Sequence, residues 1–130
     1  MGIAFVTGAT GLLGIRLVPL LKLRGCGVIT HARSGDAEYL ADLSVTDEVF
    51  NLLDKTRPEI IINLVGLTDV DPCETQPNQA YLLNVRTVEN IAKWIVWLLN
   101  ESLKKSRIRF YDFMIRFVKV RVNSGILINF

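Results

Sequence analysis

The chain is poor in the residues that most often narrow a function. Its two cysteines, Cys26 and Cys73, form no Cys-x-x-Cys pair. That excludes a disulfide framework or a cysteine-rich zinc site and fits a reducing compartment. The single histidine, His31, has no carboxylate beside it in sequence and reads as a strand-end residue, while Asp71 and Glu74 alone are too few for a metal site. No apolar run approaches the roughly 18 residues of a membrane span, because Arg16 and Lys93 interrupt the two longest candidates. No charged leader precedes an apolar core, and Val6 stands where a myristoylation signal takes Ser or Thr, so a cytoplasmic location is expected. Nor does one sign of charge dominate, since 15 Lys and Arg against 13 Asp and Glu leave +2. The distribution is uneven, however: residues 1–100 hold 8 basic and 11 acidic residues and residues 101–130 hold 7 and 2, so a body at −3 carries a tail at +5.

What is present suits one globular domain: 130 residues, half of them hydrophobic and 22% charged. Residues 3–7, IAFVT, read as a short buried strand. Leu12, Leu13, Leu17, Leu20 and Leu21 then recur at helical spacing, with Pro19 expected to bend the helix and Lys22, Arg24 and Gly25 ending it. Strands are expected at residues 28–31 and 38–40. A helix begins at Thr46 and Asp47, buries Val49, Phe50, Leu52 and Leu53, and is closed by Pro58. The apolar run EIIINLVG reads as a strand covered on both faces. Pro77 opens a last helix, in which Ala80, Leu83, Val88, Ile91, Ile95 and Leu98 repeat every three or four residues. Alternating strands and helices imply an α/β fold, a Rossmann-type doubly wound parallel sheet. Trp94 and Trp97 are expected in a core or an interface. From Ile108 onward apolar and basic residues mix at short period, and Asn123, Ser124 and Gly125 suggest the turn of a terminal hairpin.

The chemistry is carried by VTGATGLLG at residues 6–14. A dinucleotide's pyrophosphate approaches bare backbone at a helix N-terminus, where free N–H groups and the helix dipole face the anion. Side chains at Gly8 or Gly11 would block that approach, and Gly14 lets the helix lie close on its strand. Thr10, Leu12 and Leu13 belong to the same turn. The end of the second strand should reach the adenosine ribose, and there stand Arg33 and Ser34 with no carboxylate. That pair suits a 2′-phosphate, so NADP is expected, with NAD as the alternative. Asp42 could accept the adenine amino group and Leu43 cover the ring, or the aspartate could simply start a turn. Asn63, Gly66, Leu67 and Thr68 end the fourth strand at the carboxyl edge, where Gly66 would let the nicotinamide half pass.

In order, VTGATGLLG, ADLS, RPEIIINLVGLTDVDPCETQP and NVRTVENIA resemble the extended short-chain dehydrogenase/reductase family over roughly residues 2–93, and within it the dTDP-4-dehydrorhamnose reductase branch. The resemblance implies cofactor contacts at Gly11, Leu12, Leu13, Asp42, Leu43, Gly66, Leu67 and Thr68, and at Asn84 the asparagine that supports the family's proton relay. It implies NADP-dependent reduction of a nucleotide-linked 4-keto-6-deoxy sugar, in which a tyrosine supplies the proton and a lysine four residues on lowers its pKa. Here Leu43, Val85 and Ile115 follow Tyr39, Tyr81 and Tyr111 at that spacing, so the chain has no such pair.

Residues 1–93 therefore read as an incomplete cofactor-binding domain, and 94–130 as a divergent basic tail, a helix extension plus hairpin, in a truncated or frameshifted chain. The alternative is a non-catalytic NADP-binding regulatory subunit, similar to the β subunit of methionine adenosyltransferase, that docks on a partner enzyme; a remnant without ligand is the third reading. An unfinished sheet edge favours self-association. Nucleic acid or an anionic membrane surface is the lesser reading of the tail, because mixed Phe, Val and Arg suit a covered sheet edge better.

Overall fold

The computed structural model describes residues 2–67 and 70–105. Thr68 and the hairpin expected beyond Ile108 lie outside the described residues. Four strands, β1 (Ile3–Thr7), β2 (Gly27–Ala32), β3 (Tyr39–Leu40) and β4 (Ile60–Asn63), form one all-parallel sheet in the order β3-β2-β1-β4. Helix α1 (Gly14–Leu23) joins β1 to β2, and α2 (Thr46–Thr56) joins β3 to β4. After β4 come α3 (Val70–Thr75), α4 (Pro77–Tyr81), a π-helical turn at Leu82–Arg86 and α5 (Thr87–Lys105). The fold is the expected α/β, Rossmann-type sheet.

Register sorts the strand residues onto two faces. Phe5 lies level with Ile29 and Ile61, and this row packs with Val49, Leu52 and Leu53 of α2 and Ile91 and Trp94 of α5 into the main core. Each such side chain removed from water contributes roughly 1.5–3 kcal/mol, and the indole N–H of Trp94 keeps a partner by donating to Asp54 Oδ1 at 3.0 Å. Ala4 and Val6 point to the other face, where small side chains allow α1 to lie close.

Several expectations shift in detail. The fourth strand stops at Asn63 instead of running to Gly66; its partner β1 ends at Thr7, where Gly8, at φ +63°, turns the chain, and the last bond between the two segments runs from Leu64 N to Thr7 O at 3.3 Å. α1 runs unbroken through Pro19. Its only buried residue is Gly14, and Leu20, Leu23 and Ile15 are exposed, so the leucine repeat is not a buried face among the described residues. Leu12 and Leu13 precede the helix altogether. The last helix is not uniform, because the π-helical turn adds a residue within it; Leu82 O takes hydrogen bonds from both the amide and the hydroxyl of Thr87. α3 had no signal in sequence, and the boundary drawn at residue 93 falls inside α5, one residue before the buried Trp94.

Candidate functional site

The order β3-β2-β1-β4 means that the chain leaves β1 toward one side and returns on the other. Crossover connections therefore diverge above the carboxyl ends of β1 and β4, where a crevice opens in sheets of this kind. Two buried side chains lock those ends together: Thr7 Oγ1 donates to Asn63 Oδ1 at 2.5 Å and accepts from the Leu64 amide at 3.0 Å. Sequence reasoning named Asn63 but missed Thr7, whose role depends on a strand 56 residues away.

The glycine turn sits on this edge, and its three glycines serve different ends. Gly8 has φ +63°, and a Cβ there would lie 3.0 Å from the Leu64 carbonyl carbon, so the turn touches the loop after β4. A Cβ on Gly14 would run into the Ala9 backbone, 2.6 Å from its carbonyl carbon; the bare residue lets α1 start against the turn. Gly11 is exposed, has no positive φ and is less crowded than either. The single atom near its Cβ position is Gly8 O at 3.2 Å. The turn is pinned from within by Gly11 N to Gly8 O at 3.0 Å and to the sheet by Ala9 N to His31 O at 2.9 Å.

Its electrostatics suit an anion. Among the described residues the amides of Leu12 and Leu13 take no backbone acceptor, and both residues are exposed, Leu12 at 87%. The first turn of α1 carries no acidic residue and no side-chain cap, whereas α2 places Asp47 and Glu48 in its own first turn. The positive end of α2 is thus balanced within the chain and that of α1 is open. A diphosphate fits this set of donors, and the bare face of Gly11 leaves room for it.

The remaining candidates flank the turn. Arg33 and Ser34 are exposed just past β2, and Thr10 Oγ1 donates to Ser34 O at 3.4 Å, tying the turn to that loop. Asp42 follows β3 with its Oδ1 accepting from the Ser44 hydroxyl at 2.7 Å and the Ser44 amide at 2.9 Å. Those bonds, with the nearby Arg33 charge adding, hold its carboxyl below the usual carboxylate range and keep it ionised. Leu43 turns its side chain into the core and is 4% exposed, so it offers a ligand main chain rather than a cover. On the far side Gly66 is exposed, and its neighbour Leu67 is clamped by Asn84 from the π-helical turn: Leu67 N donates to Asn84 Oδ1 at 2.7 Å and Asn84 Nδ2 donates to Leu67 O at 3.0 Å.

His31 lies beneath this edge, stacked on Phe5 at 5.9 Å between ring centroids. Its Nε2 donates to Ala41 O at 3.0 Å, leaving Nδ1 buried with no partner, and burial pushes its pKa down. No group of three or more His, Cys, Asp or Glu among the described residues could hold a metal, and no helix among them is long and apolar enough to cross a membrane.

Residues 2–96 match the family model described as the RmlD substrate binding domain. The dTDP-4-dehydrorhamnose reductase of Escherichia coli is 38% identical over 86 residues, which cover 66% of this chain and 28% of that protein. A probable low-salt glycan biosynthesis reductase of Haloferax volcanii is 37% identical over 86 residues, covering 62% and 29%. Among solved structures, the dTDP-4-dehydrorhamnose reductase of Bacillus anthracis in complex with NADP superposes with a TM-score of 0.63 at 27% identity, over 70% of this chain and 31% of that one. The chain thus spans under a third of the length of these relatives. They carry reductase names, and the regulatory-subunit alternative gains no support from them. With residues 2–96 matched, the chain belongs to the RmlD substrate-binding-domain family.

Proposed function

We propose that this chain is the cofactor-binding part of a cytoplasmic reductase acting on a nucleotide-linked 4-keto-6-deoxy sugar of the dTDP-4-dehydrorhamnose type, and that it binds NADP(H). One observation carries the reading: the turn at residues 8–14 leaves the Leu12 and Leu13 amides and the positive end of α1 open beside the bare face of Gly11, with no acidic residue in the helix's first turn. The diphosphate rests there, Asp42 takes the adenine amino group, Arg33 and Ser34 take the 2′-phosphate, and the nicotinamide half passes Gly66, Leu67 and Thr68. Asn84 holds the Leu67 peptide in place for that half. The hydride chemistry of the bound nicotinamide needs a proton donor, and no tyrosine of this chain has a lysine four residues on. These 130 residues therefore bind the dinucleotide without reducing a sugar ketone.

Isothermal titration with NADPH and NADH tests this. NADPH should bind more tightly, and Arg33→Ala should weaken it by on the order of tenfold or more, the worth of a charge-assisted bond, with NADH unchanged. Equal affinity for the two nucleotides in the wild-type chain contradicts the assignment of Arg33.

A further inference from the structure

We infer that Asn90 is a positioning residue for the adenine end of the dinucleotide, holding the turn at residues 42–46 in the shape from which Asp42 meets the ligand. This rests on the cofactor reading above. Asn90 lies in the first turn of α5 and is fully buried. Its Nδ2 donates to Leu43 O at 3.0 Å and to Ser44 O at 2.9 Å, and its Oδ1 accepts from Thr46 Oγ1 at 3.1 Å. The amide has one workable orientation, since a flip would turn Oδ1 onto two carbonyl oxygens that can only accept.

The same turn is held on its outer side by Ser44, whose hydroxyl and amide engage Asp42 Oδ1, and by Glu48, whose Oε2 accepts from the Asp42 amide at 2.7 Å. Without Asn90, the Leu43 and Ser44 carbonyls would lose their shared donor at the core boundary, and the turn would have to move toward water to satisfy them. Such a movement carries Asp42 with it, because Ser44 binds its carboxylate. Asn84 grips Leu67 from the same run of helix six positions earlier. One helical run thus braces both loops that flank the glycine turn: Asn84 on the nicotinamide side and Asn90 on the adenine side.

The test measures affinity and stability separately in the whole chain. Adenosine 2′,5′-bisphosphate, which lacks the nicotinamide half, and NADPH are titrated calorimetrically into the wild type, Asn90→Asp and Thr46→Val, with thermal midpoints recorded for each. Asn90→Asp replaces the double donor by an acceptor. It should weaken the bisphosphate and NADPH by the same factor, on the order of tenfold, at a temperature where the variant is folded. A lowered midpoint with unchanged affinity for the bisphosphate makes Asn90 purely structural and overturns the inference. Should Asn90→Asp not fold, Thr46→Val decides, because it removes only one of the three bonds that hold the Asn90 amide against the turn. Weaker bisphosphate binding then supports the inference, and wild-type affinity overturns it. If the wild type binds neither ligand, the cofactor reading falls and this inference with it; binding by the wild type that survives in both variants overturns this inference alone.

Discussion

Residue by residue, the carboxyl edge of the sheet is built from side chains that either satisfy one another or are missing altogether. Gly8 and Gly14 are bare because the fold needs them so, one for its positive φ and contact with Leu64, the other for its approach to Ala9. Gly11 needs its bareness less: its φ is not positive and a Cβ would crowd a single atom, Gly8 O at 3.2 Å, so its open face is what a residue facing a ligand would show. His31 stores a different cost. Its Nδ1 is buried with no acceptor near it, so protonation would place a charged N–H where nothing receives it. With its folded pKa below the ordinary value near 6.5, the unfolded chain binds the proton more readily. Stability should be full above about pH 6.5 and fall as pH drops through the region between the unfolded and folded values. Urea midpoints measured from pH 8 to pH 5 should decline on the acid side, and His31→Leu should flatten that decline; an unchanged slope in the variant contradicts the argument. The glycine turn between strand and helix, and the placing of Arg33 and Ser34 just past the second strand, were legible in sequence. The Thr7 to Asn63 bond and the Asn90 clamp were not, because each joins positions that only the folded sheet brings together.

For the elements, periodicity succeeded wherever one face was buried. The buried positions of α2, Val49, Leu52 and Leu53, and those of α5, Ile91 with Ile95 and Leu98 beside it, follow the apolar repeat, since both helices cover the same side of the sheet. In α1 the leucine spacing marked the helix, but its apolar face is only partly covered: Leu17 and Leu21 are half-buried, and Leu20 and Leu23 are exposed. The repeat gave no sign of the π-helical turn. That turn depends on local bonds to Leu82 O and carries Asn84, whose pairing with Leu67 is tertiary. The join between α2 and α5 centres on Trp94, which is fully buried and bonded to Asp54. Trp94→Ala should cost about 3–5 kcal/mol in a denaturation experiment, and Trp94→Phe less, because the phenyl fills most of the space and lacks only the N–H. A loss below about 1 kcal/mol for the alanine variant would mean that α5 is not packed as described.

Taken whole, the described chain is a half-wound sheet. β4 pairs with β1 alone among the described strands, and Ile60 stands exposed on it while Ile15, Leu20 and Leu23 stand exposed on α1. An edge strand with no second partner among the described residues, and apolar side chains exposed on α1, both invite association. Sedimentation velocity should show reversible self-association that rises with concentration, and Leu20→Lys with Leu23→Glu should reduce it; a monomer at all concentrations contradicts this. The parallel sheet was legible from the alternation of strands and helices, but its strand order and the extent of association are not written in any local pattern. The central claim concerns the diphosphate seat, and Gly11 allows it to be tested apart from folding. Calorimetric titration of NADPH into the wild type and Gly11→Val, with unfolding midpoints as a control, is the direct measurement. The account predicts a folded variant whose affinity falls by on the order of a hundredfold, the cost of losing close approach to several amides; a folded variant that binds NADPH as tightly as the wild type would contradict it.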